Sequence, residues 1–582
     1  MAKGVVGAKL LNDRQNVKRP FLAICPRKAN TRAMISHISM SFPRVEIRRR
    51  PSMTLFAVLA IVMVIGSYVF VLLLAAACVY VPYLILFSAD SFAPQSLLLF
   101  LFGIVIAATM LWSLVPRRDK FSAPGILLDR STQPRLFAEL EGIATALNEN
   151  LPREVYLIAA PNAFVADRGG VMGFGSRRVM GLGLPLLSLL SVSQFRAVLA
   201  HEFAHYYGGD TRLGPWVYKT KTSISRIFEN IGSVGDLARI AILGMMYIAV
   251  AALLKAYFVA FLRAINLVSR RQEYRADELA CLVAGRQNLV DGLQMIHRAA
   301  TAWPAFWNGE VAPSLNDGSL VALGDGFARF VSVPEISAAI GKNLEARLQQ
   351  EKTDPYNTHP PLRERIAAVE KLADSSAPQD ARSAITLLEN VGPTEVKFVE
   401  ECVPDMRPGT LQYVSWDEVA IRVTIPSWQK FVTEYEEPLQ GVTTETLPDQ
   451  VPRFREIGSR IRDPKGMLLS PPQRTARAGS LFATALALAL IRTGWELQVQ
   501  PAIFHIRRGD QDLNPFAAVD QLMAGTLTRE AWANRCRDLG ISQLALLSTN
   551  GVSDNPPSMS CAQAELFALK SRPDSYRASA EQ

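Results

Sequence analysis

Four residues apart in the stretch SQFRAVLAHEFAHYY, Ser193 to Tyr207, His201 and His205 can offer two imidazoles to one ion. On an α-helix that spacing is a little over one turn, about 6 Å of rise, so both rings leave the same face. Neutral imidazole suits Zn²⁺, which takes nitrogen ligands at about 2.0–2.1 Å in tetrahedral geometry. Glu202 is turned about 100° from His201, so it is badly placed as a third ligand on that face. It is well placed to reach a water on the ion. A carboxylate there can take a proton from that water as it attacks a carbonyl. The pattern His201-Glu202-x-x-His205 is the H-E-x-x-H motif of metal-assisted peptide hydrolysis.

A catalytic zinc site uses three protein ligands and keeps one position open. Downstream, SRRQEYRADELA (Ser269 to Ala280) has helix-forming composition and sets Glu273 and Asp277 at i, i+4 on one face. Glu273 can be the third ligand. Asp277 can accept the other ring N–H of a ligand histidine and fix its orientation. The competing reading of such an acidic pair is a solvated helix face.

VLAHEFAHYYGGD followed by SRRQEYRAD resembles the gluzincin metalloproteases of the HtpX-like and CAAX prenyl endopeptidase family. PNAF (Pro161 to Phe164), the Leu-rich run ending in SVSQFRAVLAHE and THPPLRERI (Thr358 to Ile366) agree with it, and the likeness covers roughly Phe137 to Leu372. The resemblance implies that His201, His205 and Glu273 hold one Zn²⁺ per chain and that Glu202 is the general base. It places Asp277 behind the ligands and brings His359 near the site, where it would face the tetrahedral oxyanion. Such a donor is what amide hydrolysis needs. It also implies protein or peptide substrates and a role in membrane-protein quality control. Without the resemblance, His359 reads as a loop histidine beside two prolines.

The elements that must position these residues are membrane-bound. The 582 residues are 49% hydrophobic, with mean hydropathy +0.14 and formal charge +9. Residues 1–50 carry twelve Lys/Arg against Asp13 and Glu46, so the rest of the chain is close to neutral. The basic excess is therefore a tail beside a membrane span and no groove for phosphates, and no nucleic-acid partner is expected. Membrane lipid is. A transit peptide, or a start at Met40 or Met53, fits the same composition. Six scattered cysteines, none in C-x-x-C, argue against a disulfide framework and for a reducing compartment.

Pro51 to Ala89 holds no charge, and Thr54 to about Cys78 is long enough to span a bilayer. Ser96 to Val115 is a second span. Arg117, Arg118 and Lys120 follow it, and the connecting loop has only Asp90, so both outer ends are expected inside. Leu127 to Asn150 reads as an amphipathic helix. EVYLIAAP reads as a strand, with PNAF its continuation or edge, and Ser193 as the N-cap of the motif helix. By the family resemblance such a strand can lie beside an extended substrate. Ala241 to Leu262 is apolar except for Lys255. Two full crossings do not fit between His205 and Glu273 by length, so a dipping helix or hairpin, or packing on the first two spans, is expected near 238–265. Trp303 to Gly326 reads as a surface loop or as a wall or lid of the cleft, Ala373 to Arg382 as a linker, QYVSWDEVAIRVTI as strands, and Gly479 to Ile491 as a helix too short to span. His297 and His505 read as structural, and Ser571 to Gln582 as disordered.

The expected fold is α+β: a mostly helical, membrane-anchored gluzincin domain with a transmembrane hairpin and a C-terminal mixed α/β accessory domain. Its parts are a basic tail (1–50), the hairpin (51–120), the metallopeptidase domain (121–375) and the accessory domain (383–582). The expected activity is that of a zinc endopeptidase in the cell inner (plasma) membrane, multi-pass and facing the cytoplasm, or alternatively in an organelle membrane. A non-catalytic scaffold and an exopeptidase on the same chemistry are the rival readings.

Overall fold

The computed structural model describes residues 51–547, apart from 89–93, 118, 120, 171–174, 207–213, 235–240, 316–317, 352–358, 376, 405 and 462–469. The basic tail and the final twelve residues lie outside the described residues.

The described chain is mostly helical. Two apolar helices come first, α1 (Pro51–Ser88) and α2 (Pro94–Leu114), packed antiparallel. They touch at Gly103, where a Cβ would stand 2.0 Å from the Cys78 carbonyl oxygen, so only glycine permits this approach. Then come β1 (Ile126–Leu128), α3 (Pro134–Ala146), β2 (Glu154–Ile158), β3 (Ala163–Arg168), β4 (Arg177–Gly183) and α4 (Leu184–Leu189). The four strands form a sheet in the order β1-β2-β4-β3, with β2 and β4 parallel and β3 antiparallel on the edge. PNAF is thus not a continuation of β2: the chain turns at Pro161 and Asn162, and Phe164 lies in the edge strand opposite Gly181.

The motif helix α5 (Val192–Ala204) is nearly all buried. Its N-cap is Ser191, not Ser193. The Ser191 hydroxyl accepts from the Gln194 N–H at 3.2 Å, and the Gln194 side chain accepts from the Ser191 N–H at 3.0 Å. Ser193 sits inside, and its Oγ accepts the Asp380 N–H at 2.7 Å. Arg196, buried in the same helix, pairs with Glu139 of α3.

Next come α6 (Gly214–Val234) and α7 (Ala241–Ala284). At 44 residues, α7 joins the apolar stretch and the Glu273–Asp277 segment in one unbroken helix. The sequence reading gave α6 no place as an element, because its charges hide its apolar face. That face packs on α2, and Asn230 Nδ2 donates to Ser113 Oγ at 2.8 Å. Among the described residues, α1, α2, α7 and the later helix α16 (Pro471–Arg492) are long and apolar enough to cross a membrane.

Beyond α7 lie α8 (Arg286–Phe306), a π-helical turn (Trp307–Val311), α9 (Ala312–Leu315), β5 (Ser319–Val321), α10 (Leu323–Ser332), α11 (Pro334–Gln350) and α12 (Leu362–Val369). The region expected as a loop, Trp303 to Gly326, is largely helical, with Trp303 and Phe306 in the core. The expected linker is docked: Val192 N–H donates to Arg382 O at 2.8 Å and Ser193 N–H to Asp380 O at 3.1 Å. After it come α13 (Val391–Cys402) and β6 (Gln412–Val414), which pairs parallel with β5. Of the expected strands in QYVSWDEVAIRVTI only β6 forms; Ala420–Thr424 is π-helical and leads into α14 (Ile425–Glu434). One core runs from Ile126 to Val423 and takes in Val499. A second core forms from α14, α15 (Phe454–Arg460), α16 (Pro471–Arg492), β7 (Glu496–Gln500), β8 (Ile503–Arg508), α17 (Pro515–Met523) and α18 (Arg529–Asp538), with β9 (Gln511–Asp512) pairing antiparallel on β8. Of the most apolar stretch of α16, 78% is buried inside the protein, which reads as a core helix despite its length.

Candidate metal centre

The last turn of α5 brings His201 to the buried interface with α7, and His205 caps the helix end. From α7, Glu273 and Asp277 point back at them, as their i, i+4 spacing requires. His201 Nε2 lies 3.5 Å from Glu273 Oε2, His205 Nε2 lies 3.6 Å from Glu273 Oε1, and the two Nε2 atoms are 3.2 Å apart. Each of the three residues offers one ligand atom, and these atoms lie within 4.8 Å of one another. Behind them, His201 Nδ1 is 2.9 Å from Asp277 Oδ1.

His359, just before α12, donates from Nδ1 to Glu273 Oε1 at 2.9 Å while its side chain stays largely exposed. The sequence reading missed Arg365, on α12. Its Nη2 and Nε donate to the two carboxylate oxygens of Asp277 at 2.6 and 2.9 Å, and its Nη1 lies 3.5 Å from Glu273 Oε2. The signal was available: two buried acids need a buried cation, and Arg365 stands in the THPPLRERI stretch already singled out.

Charge decides what this cluster can hold. Burial and then the Glu273 carboxylate push Glu202 up to about 7 despite the cations nearby. Burial also works against Glu273, but the His201 and His359 rings beside it outweigh that and hold the carboxyl well below the usual range. For Asp277, burial is outweighed by the Arg365 cation and by His201, which bring it down to about 2. Burial and Arg365 oppose charge on His201, yet Asp277 and Glu273 raise it to about 9. His205, buried beside His201, falls to about 4 and is a neutral donor. Three carboxyl groups thus face one guanidinium, and the pocket draws positive charge onto His201. Glu273 Oε2 is buried without a hydrogen bond. Two imidazoles and a carboxylate with an unsatisfied oxygen fit one divalent cation, which would take the place of the proton drawn onto His201.

Residues 130–373 match the model of peptidase family M48. Among curated proteins, a protease HtpX homolog of Burkholderia multivorans is 27% identical over 259 residues, covering 42% of this chain and 76% of that protein. The HtpX homologs of Burkholderia cenocepacia and Burkholderia thailandensis are each 26% identical over the same shares. No solved structure matches the chain. Residues 130–373 are thus similar to peptidase family M48 and to the HtpX homologs, and the chain is a membrane metalloprotease.

Proposed function

We propose that the chain is a zinc endopeptidase that hydrolyses damaged or unfolded membrane proteins, with its catalytic domain on the cytoplasmic side of the inner membrane. The observation that carries this reading is the convergence of His201, His205 and Glu273 with Glu202 one residue along the same helix. His201, His205 and Glu273 would hold the ion. Bound Zn²⁺ supplies Lewis-acid polarisation of the scissile carbonyl and of water. Glu202 takes the proton of the attacking water and returns it to the leaving amine. Asp277 fixes the His201 ring through Nδ1, and Arg365 fixes Asp277. His359, held by Glu273 and raised in basicity by it, is the cation that faces developing negative charge.

The edge strand β3 packs against α5 and, among the described residues, has a sheet neighbour on one side only. An extended substrate can add there as a further strand, which suits internal cleavage of an unfolded chain. The positive flank after α2, with Arg117, supports a cytoplasmic placement.

The test uses the purified full chain in detergent. Metal analysis should give one zinc per chain, with casein cut at internal bonds. Glu202→Gln should keep the zinc and lose casein cleavage by about 10²–10⁴-fold. A chain that takes up no zinc, or a Glu202→Gln protein with full activity, would sink the reading.

A further inference from the structure

The 21 residues of α2 rise about 31 Å, as thick as the hydrocarbon core of a bilayer. Arg117 follows directly on its apolar run and so stands at a bilayer boundary. Trp112, 66% exposed in the last turn of α2, has the place of an interfacial indole. Helix α6 runs antiparallel beside this end. Asn230 Nδ2 meets Ser113 Oγ at 2.8 Å, and Lys219 Nζ lies 3.7 Å from Asp119 Oδ1. Between these two ties, one turn back from Asn230, Arg226 stands at the height of Arg117. Of the charges around Arg226, that of Arg117 acts on it most strongly.

Among the described residues, no carboxylate comes within ion-pair distance of Arg117 or Arg226. Glu229, three residues on in α6, is exposed and bears on Arg226 without pairing with it. Asp119 is engaged elsewhere: the Gly169 N–H donates to its Oδ2 at 2.9 Å, and Arg168 Nε and Lys219 Nζ each lie 3.7 Å from its carboxylate. Arg226 Nη2 donates to Ser223 Oγ at 2.8 Å, but its Nε is buried with no hydrogen bond. Burial and Arg117 both work against the Arg226 charge. A buried donor without an acceptor and two like charges side by side are each costly, and one anion relieves both. Arginine forks match phosphate oxygens in particular. Along one flank of α2, Val105 and Trp112 are 42% and 66% exposed, seven residues apart and so on the same side. A free phosphate gains nothing from that apolar flank, whereas a lipid can lay an acyl chain on it. Basic groups between transmembrane helices at the membrane surface recognise anionic headgroups in this way.

We propose that Arg117 and Arg226 bind the phosphate of an anionic glycerophospholipid at the end of α2, with an acyl chain along Val105 and Trp112. A zwitterionic lipid carries the same phosphate but brings a quaternary ammonium up to two arginines, so it binds less well. The site is separate from the basic tail of residues 1–50, and it does not depend on the peptidase reading.

The test strips the full chain of lipid in a non-ionic detergent and offers it equal amounts of dioleoyl-phosphatidylglycerol and dioleoyl-phosphatidylcholine. Native mass spectrometry counts the lipids that each chain retains. Wild type should hold one phosphatidylglycerol, preferred on the order of twentyfold, which is about fivefold for each arginine. Arg117→Gln changes an exposed residue and should cut the preference about fivefold. Adding Arg226→Gln should level the two lipids. Lys221→Gln, at an exposed lysine on the same helix, should change nothing. Melting temperatures show which variants fold, and where the double variant does not, Arg117→Gln decides. Inorganic phosphate in large excess should not displace the lipid. Equal retention of the two lipids by wild type, a preference untouched by Arg117→Gln, or one lost as readily with Lys221→Gln overturns the proposal. Displacement by inorganic phosphate alone overturns the lipid as the ligand. Zinc content and casein cleavage do not enter, so a failure of the peptidase reading leaves the outcome readable.

Discussion

Asp277 touches no reacting atom, yet it sets the direction of His201. It accepts from Arg365 on both oxygens and meets His201 Nδ1 at 2.9 Å, so it joins the cation on α12 to the ring on α5. Asp277→Asn keeps the shape and removes the charge. Zinc affinity should fall about 10- to 100-fold in competition with a chelator, while Glu202→Gln should bind as wild type does. An Asp277→Asn protein with wild-type affinity would show that α5 alone orients the ring. Removing Arg365 acts differently. Arg365→Met leaves two buried carboxylates without their cation, a loss of about 3–5 kcal/mol, and added zinc should recover part of the lost melting temperature. Apart from His359, which the family resemblance supplied, the residues named from the sequence are those whose partners lie about one helical turn away, as with His201 and His205 or Glu273 and Asp277. Arg365 escaped because its partners are 88 and 92 positions distant, and no local period marks such a contact.

At the scale of elements, buried helix ends must find partners for their N–H groups. α5 does so with the Ser191–Gln194 box, a short-range pattern open to reading, although the sequence placed the cap two residues late. α10 does so at long range: the Glu395 carboxylate on α13 accepts the N–H of Leu323 and of Gly324, each at 2.8 Å. Burial nonetheless dominates and pushes Glu395 up to about 7, from an ordinary value of 4.5. The folded state therefore keeps a proton that the unfolded chain releases near pH 4.5. The stability this contributes is present below that pH and is lost as pH rises through about 7. Glu395→Gln cannot titrate. Its melting temperature relative to wild type should rise between pH 5 and pH 7.5, and a constant offset would show that the two backbone donors hold the carboxylate ionised throughout. α6 illustrates the opposite failure of legibility. Lys219, Lys221, Arg226 and Glu229 break its apolar run, so composition alone hides a helix whose inner face, with Ile224, Ile227 and Ile231, is buried against its neighbours.

For the whole molecule, the protease-family match ends at residue 373, but the core around the metal centre does not. Ala384, Phe398, Val399, Val414, Trp416 and Val423 belong to it, and Asp380 and Arg382 satisfy backbone groups at the start of α5. The polar, Pro- and Ser-containing stretch before them looks like a linker because composition reports exposure and is silent on which backbone groups are paired. Trp416 is the sharpest case. It is 2% exposed, its Nε1 donates to Ala322 O at 2.9 Å, and its ring lies so close to Gly326 that a Cβ there would be 2.1 Å away. Trp416→Ala should cost about 3–5 kcal/mol and, although outside the family segment, should make zinc retention and casein cleavage heat-labile together. Trp532 fills the second core in the same way, with its Nε1 donating to Thr444 O at 2.7 Å. Trp532→Ala should lower a separate unfolding transition and leave zinc bound above it, because Trp532 belongs to a cluster distinct from the one around the metal centre, although Leu497, Phe504 and the Arg329–Gln500 hydrogen bond join the two. If Trp532→Ala instead releases zinc at the same temperature as Trp416→Ala, those contacts are enough to make the cores one cooperative unit, and the accessory region is part of what holds α5 in place.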